Sequence, residues 1–189
     1  MRIFIAGLLG AIAMFVWTSI AHMATPLATI GISKIQNEPA VLSAMQSGIG
    51  NQSGLYFFPW VDPKDPKMMQ KEAVLLKTHP TGILIYRPPG ASGDMTPQLI
   101  QEFAKELALS LIAAFLLSLT VIASFWKRAL FVTLACAIAP LGADVSYWIW
   151  YGFPCSYTLA AITIEVVGGL VAGLAIAGWF TLRPKKLMA

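Results

Sequence analysis

Four long apolar runs alternate with polar punctuation along this chain: Ile3 to Ala21, Leu107 to Trp126, Ala129 to Trp150 and Tyr157 to Leu182. Each comes near the roughly 20 apolar residues that a helix needs to cross a bilayer's hydrocarbon. Small and polar residues recur inside them at helical spacing. Glu165, Gly169, Gly173 and Ala177 share one stripe, and Glu106, Ser110, Ala114 and Ser118 another. Thr133, Ala137, Pro140 and Asp144 make a third, and Gly7, Ala11, Thr18 and His22 share a face of the first run. Stripes of small residues let membrane helices approach closely, and Gly169 with Gly173 has the small-xxx-small spacing for it. The four runs are therefore expected to be helices that turn their small faces toward one another.

Between the first two runs the pattern changes. "NEPAVLSAMQS" begins with Asn37 as a candidate N-cap and Pro39 in the first turn, and "DPKMMQKEAVLLK" repeats the device with Asp65 and Pro66. "GLYFFPW" and "TGILIYRP" are short aromatic and β-branched runs closed by prolines, the signature of strands. A small α/β cap in the order helix, strand, helix, strand is predicted. Because a two-stranded sheet is marginal in water, the cap is expected to lean on the helices or on a partner. After it, Thr96 and Pro97 open a helix with no evident breaker before Trp126, about 30 residues or roughly 45 Å long. The expected fold is a mainly α membrane protein with four transmembrane helices. Residues 1–23 form the first, 24–96 the extracytoplasmic cap, and 97–189 a three-helix region with helices near 97–126, 128–150 and 157–182.

Composition agrees with a lipid environment. The chain is 57% hydrophobic and 12% charged, with a mean hydropathy of +0.70, too apolar for an ordinary soluble domain of 189 residues. The net charge of +4 does not indicate nucleic acid. Arg2, Lys127, Arg128, Arg183, Lys185 and Lys186 flank the apolar runs, as cytoplasmic ends do under the positive-inside rule, and no basic patch with interleaved aromatics remains. Both termini are thus expected in the cytoplasm and residues 24–96 outside, in the periplasm of a bacterium. The first run follows Arg2 as a signal peptide would, but no clean small-x-small site follows in "SIAHMATP", so it reads as an anchor. Cys136 and Cys155 fall at different depths and are not expected to pair.

Counting from the basic flanks at about 1.5 Å per residue puts Asp144 and Glu165 roughly 24 to 27 Å above the inner boundary, and His22 and Glu106 near 30 Å. Four ionisable groups from four helices are therefore expected together near the outer edge of the hydrocarbon. In one reading they bond to one another and hold the cap in register. In the other they form a cation, proton or polar-ligand site, since intramembrane acids mark functional sites by default. No spacing of ligands defines a metal and no cofactor motif is present: phosphate loop, Gly-x-Ser-x-Gly, His-Glu-x-x-His and Cys-x-x-Cys are all absent. "SYWIWYGFPCSY" reads as an aromatic belt carrying Trp148, Trp150 and Tyr157. His79 reads as a surface residue, and Pro140 as a structural kink.

Through "WTSIAHMATPL", "GLYFFP" and "DVSYWIWYGFPCSYTLA", the chain resembles a family of small four-helix bacterial inner-membrane proteins of unassigned function. The resemblance implies a bacterial inner membrane and no particular activity. With no chemistry-bearing signature, the leading expectation is a non-enzymatic accessory or assembly subunit, in contact with lipids and with other membrane subunits or further copies of itself. The alternative is a small ion- or proton-coupled transporter or polar-ligand-binding protein using the outer carboxylates. A membrane enzyme acting on lipid would need an acid and base such as Glu165 and His22 in one cleft.

Overall fold

A computed structural model describes residues 1–182. The elements follow in the order α1 (Arg2–Met23), a 3₁₀ turn (Pro26–Thr29), α2 (Glu38–Ile49), β1 (Gly54–Phe58), α3 (Met68–Thr78), β2 (Gly82–Tyr86), α4 (Thr96–Ser118), α5 (Phe125–Tyr151) and α6 (Cys155–Leu182). They divide into two compact units. One holds α1 and the 3₁₀ turn, through Ile32, together with everything from Asp94 onward; the other is Ser33–Gly93. The expectation that placed "RPKK", residues 183–186, at a cytoplasmic flank lies outside the described residues.

In the helical unit α6 packs against α5 and α1, and α1 also packs against α4. Burial inverts the pattern of a soluble bundle. α1 buries Ala6, Gly7, Gly10, Ala11 and Thr18 while exposing Phe4, Ile12, Val16 and Ile20, and α5 buries Ala129 and Ala137 while exposing Leu130, Leu134, Ile138 and Leu141. Small side chains inside and large aliphatic ones outside is how helices pack when the surrounding solvent is itself apolar. Three of them, α1, α5 and α6, are long and apolar enough to cross a membrane.

The glycines show why the small stripe is needed. A Cβ on Gly173 would stand 2.7 Å from the Ala129 carbonyl oxygen, and one on Gly169 would stand 2.7 Å from Cys136 Cβ. Both glycines therefore serve the α5–α6 contact, as their spacing predicts. Gly7 does the same for α1 and α4, where its Cβ would lie 2.9 Å from Leu111 Cα. At the start of α1 the expected basic flank closes the unit. Arg2 Nη2 donates to the Phe180 carbonyl at 3.2 Å, Trp179 Nε1 donates to the Arg2 carbonyl at 3.1 Å, and Arg128 Nη1 donates to Thr181 Oγ1 at 3.2 Å. The starts of α1 and α5 thus meet the end of α6, where Arg2 satisfies an orphan carbonyl, Arg128 bonds a hydroxyl, and both charges complement the negative end of the α6 dipole.

Three expectations about helix ends need correction. The second apolar helix does not run to Trp126: α4 stops at Ser118, and α5 begins at Phe125, ahead of the expected start near 128. The breaker is a hydroxyl and β-branched stretch that hydropathy reads as continuous. Ser118 Oγ donates to the Phe115 carbonyl, Thr120 Oγ1 and the Thr120 amide both donate to the Leu117 carbonyl, and Val121 and Ile122 follow. Local side-chain bonds of this kind compete with the helical ladder, and β-branched residues are poor at continuing it. The uncharged part of α4, Leu107 to Ser118, is then only about 18 Å long at the helical rise. Asp65 is not the N-cap of α3, which starts three residues later at Met68; its Oδ1 instead accepts from the Lys67 amide at 2.8 Å, and Lys71 bonds its other oxygen. At α4 the Thr96 side chain does not cap; Asp94 Oδ1 accepts from the Thr96 amide at 2.9 Å.

Unit Ser33–Gly93 has the predicted order of helix, strand, helix, strand. Its strands pair antiparallel with Leu55 opposite Ile85 and Phe57 opposite Ile83. Tyr86 is its one buried apolar side chain, donating to the Gly50 carbonyl at 3.0 Å and meeting Tyr56 edge-on. Neither α2 nor α3 buries any residue. Leu55 and Ile85, facing each other across the ladder, are 70% and 73% exposed.

Candidate functional site

The site lies within the helical unit, at the end of α1 opposite Arg2. There the chain leaves α1 at Met23, makes the 3₁₀ turn, and passes the start of α6, where the Gly31 backbone sits directly on Tyr157. Gly31 has φ +79°, and an added Cβ would fall 2.6 Å from Tyr157 Cβ, so only glycine fits the approach. The turn is pinned by Thr25, whose Oγ1 accepts from the Leu27 amide at 3.2 Å and donates to the Ala21 carbonyl at 2.7 Å. This folded-back segment roofs a cleft of about 290 Å³.

Three of the four expected ionisable residues line this cleft: His22 from α1, Asp144 from α5 and Glu165 from α6. Tyr157 joins them, and Leu27, Ile32 and Ile164 supply an apolar wall. The His22 ring is held from one side, with Nδ1 2.9 Å from the Thr18 carbonyl oxygen. Since a carbonyl only accepts, the Nδ1 that faces it carries a proton. Glu165 Oε1 lies 3.7 Å from Lys105 Nζ, which is bonded more closely, at 2.8 Å, to Glu102. Asp144 has no hydrogen bond or ion pair among the described residues.

Glu106 does not join them. It is completely buried between α4 and α1, and its Oε1 accepts from Thr18 Oγ1 at 2.8 Å; its Oε2 has no partner among the described residues. The expectation of a single layer fails here because the depth of Glu106 was counted from Lys127 along a helix that ends at Ser118. Counted within α4 alone, Glu106 stands about 18 Å from that end, level with Thr18 and one turn deeper than His22.

Of the expected aromatic belt, Trp148 and Trp150 are exposed. Tyr157 instead turns inward, lining the cleft and meeting Phe153 at 5.5 Å between ring centroids. Cys136 and Cys155 are both free thiols, and His79 is exposed with its ring bonded to Thr78. Pro140 is buried inside a continuous α5.

Two contributors were missed from the sequence. Lys105, 42% exposed on α4, comes within 3.7 Å of Glu165; its position three residues after Glu102 was the available signal of an ion pair. Thr18 was read only as a small face residue, although it stands four residues before His22 and bonds both His22, through its carbonyl, and Glu106, through its hydroxyl.

These observations define a mainly helical protein with three helices able to cross a membrane and an acid-lined cleft at one end of the unit they build. No protein-family model matches the chain, and neither the curated proteins nor the solved structures compared with it give a match. Its function is therefore argued from the residues themselves.

Proposed function

We propose that this chain is an integral membrane protein of the bacterial inner membrane, acting as a non-enzymatic accessory or assembly subunit of a larger complex. In this reading α4 and the 119–124 segment add a fourth crossing to α1, α5 and α6. Both termini are cytoplasmic, beside Arg2 and Arg128, and unit 33–93 is periplasmic. The observation that carries the docking role is the composition of that unit's surface. A folded pair of strands and two helices with one buried apolar side chain cannot be stabilised by its own core. Meanwhile the Leu55, Phe57, Ile83 and Ile85 face of the sheet offers the aromatic and aliphatic groups that anchor interfaces.

The test is purification of the full chain in a mild detergent, alongside Leu55→Asp and Ile85→Asp. The wild type is expected to elute with a second membrane protein in fixed proportion, and each variant to lose it while keeping its own helix content. A monodisperse monomer in every mild detergent, or a complex indifferent to both substitutions, contradicts the proposal.

The cleft supports a second reading, in which the helical unit binds an ion or polar ligand, because His22, Asp144 and Glu165 all line it. Transport coupled to that binding would require alternating access, for which the chain offers no inverted repeat.

A further inference from the structure

The end of the helical unit at Arg2 carries charge of one sign. Residues 1–33, 107–143 and 166–189 contain no Asp or Glu, yet they hold six bases: Arg2, Lys127, Arg128, Arg183, Lys185 and Lys186. Two of these are fixed on consecutive residues of α6. Arg2 Nη2 donates to the Phe180 carbonyl at 3.2 Å, with its guanidinium carbon 4.7 Å from the centre of the Phe180 ring, and Arg128 Nη1 donates to Thr181 Oγ1 at 3.2 Å. Arg128 Nε also donates to the Ile122 carbonyl at 2.8 Å, which ties the 119–124 segment to the same place. Neither arginine forms an ion pair among the described residues, and nor does Lys127. Nη1 of Arg2 and Nη2 of Arg128 have no partner among the described residues. Like charges anchored on neighbouring residues, with donors left over and no acid to pair them, match a partner that brings anionic oxygens.

The groups beside these charges are apolar and turned outward. Leu119 and Val121, in the segment that Arg128 holds, are 68% and 100% exposed, and Trp126, next to Lys127, is 71% exposed. A small soluble anion leaves such groups unused, whereas an amphipathic one covers them. Trp next to Lys and Arg is also the combination found where headgroups meet acyl chains.

We propose that this end of the helical unit is a binding surface for anionic phospholipid. Headgroup phosphates accept from Arg2, Lys127 and Arg128, and acyl chains lie against Leu119, Val121 and Trp126. The proposal rests on the membrane placement given above, which sets this end at the cytoplasmic leaflet, where anionic lipid lies. It does not rest on the docking of unit 33–93 or on the His22 cleft at the other end. Because the test is made on purified protein, its failure leaves the placement itself standing.

The experiment uses the full chain in a neutral detergent and reads melting temperature against added short-chain phosphatidylglycerol, phosphatidylcholine of the same chain length, or inorganic phosphate at matched ionic strength. Phosphatidylglycerol is expected to act at a tenfold or more lower concentration than phosphatidylcholine, and inorganic phosphate to give no comparable shift. Arg2→Gln with Arg128→Gln should remove most of the preference. Since both arginines also hold α6, Lys127→Gln is the variant that leaves the packing alone, and it should lower the preference about fivefold, the effect of one base near an anionic surface. Lys77→Gln, in unit 33–93, removes the same charge elsewhere and should leave the preference unchanged. Equal action of the two lipids on the wild-type protein overturns the proposal. So does a shift of equal size with inorganic phosphate, or a loss with Lys77→Gln as large as with Lys127→Gln.

Discussion

Gly173→Ala tests whether close helix approach holds the helical unit together. The added Cβ would meet the Ala129 carbonyl oxygen at 2.7 Å, about 0.8 Å inside the roughly 3.5 Å at which such atoms rest comfortably. It would also press on Val132 Cβ at 3.3 Å. The obstacle at Ala129 is backbone, so the two helices must part and loosen the contacts around Val132, Gly169 and Cys136. Overpacking of this kind costs about 1–3 kcal/mol, while replacing a helical glycine with alanine recovers about 1 kcal/mol of propensity. A net loss of up to about 2 kcal/mol relative to the wild type is expected, and of about 1–3 kcal/mol relative to a substitution that keeps the propensity gain alone. Gly178→Ala, in the same helix, is the control: nothing stands within 4 Å of its Cβ, so it keeps the propensity gain alone. Reversible unfolding in mixed detergent micelles measures both. If Gly173→Ala proves as stable as Gly178→Ala, α5 and α6 do not approach at this glycine and the packing argument is wrong.

Thr18→Val removes the hydroxyl that Glu106 accepts from and leaves a fully buried carboxyl group unbonded, a loss of about 1–3 kcal/mol. Thr18→Ser should cost much less, and thermal unfolding of the two in the same detergent separates the hydrogen bond from packing. In unit 33–93, the hydrogen bond from Lys71, and then that from the Lys67 amide, holds the Asp65 carboxyl below the ordinary aspartate range. A depressed folded-state value stabilises above the unfolded one and is lost as pH falls through it, so hydrogen-exchange protection at the start of α3 should fall on acidification. In Asp65→Asn that protection should be lower at neutral pH and lack this acid step; identical profiles for the two proteins would show that the pair does no stabilising there.

Much of the architecture was legible because the signals were physical and local. Proline-terminated aromatic runs gave both strands, and the spacing of Gly169 and Gly173 gave the α5–α6 contact. The end of α4 was not legible from hydropathy, because Val121 and Ile122 count as apolar whether or not they are helical. Ser118 and Thr120, whose hydroxyls turn back on the chain, were the signal to weigh. That single boundary also misplaced Glu106, since depth was counted through it. His22, Asp144 and Glu165 could be brought together by counting from their basic flanks, but the roof could not. It depends on Gly31 lying against Tyr157, a contact between residues more than a hundred positions apart that no periodicity encodes. Lys105 escaped because a long side chain reaches several ångströms from where its backbone sits.

The native thiols allow the most direct test of the membrane arrangement. Cys155 is exposed at the start of α6, on the side of the unit assigned to the periplasm, whereas the basic flank at Lys127 is assigned to the cytoplasm. Cells with a permeabilised outer membrane and an intact inner membrane, treated with a membrane-impermeant maleimide, should label Cys155 in the wild-type protein. A cysteine introduced by Lys127→Cys in a Cys155→Ser background should label only after the inner membrane is opened. Labelling of the second site but not the first in sealed cells, or of both equally, would contradict the proposed crossing of the bilayer.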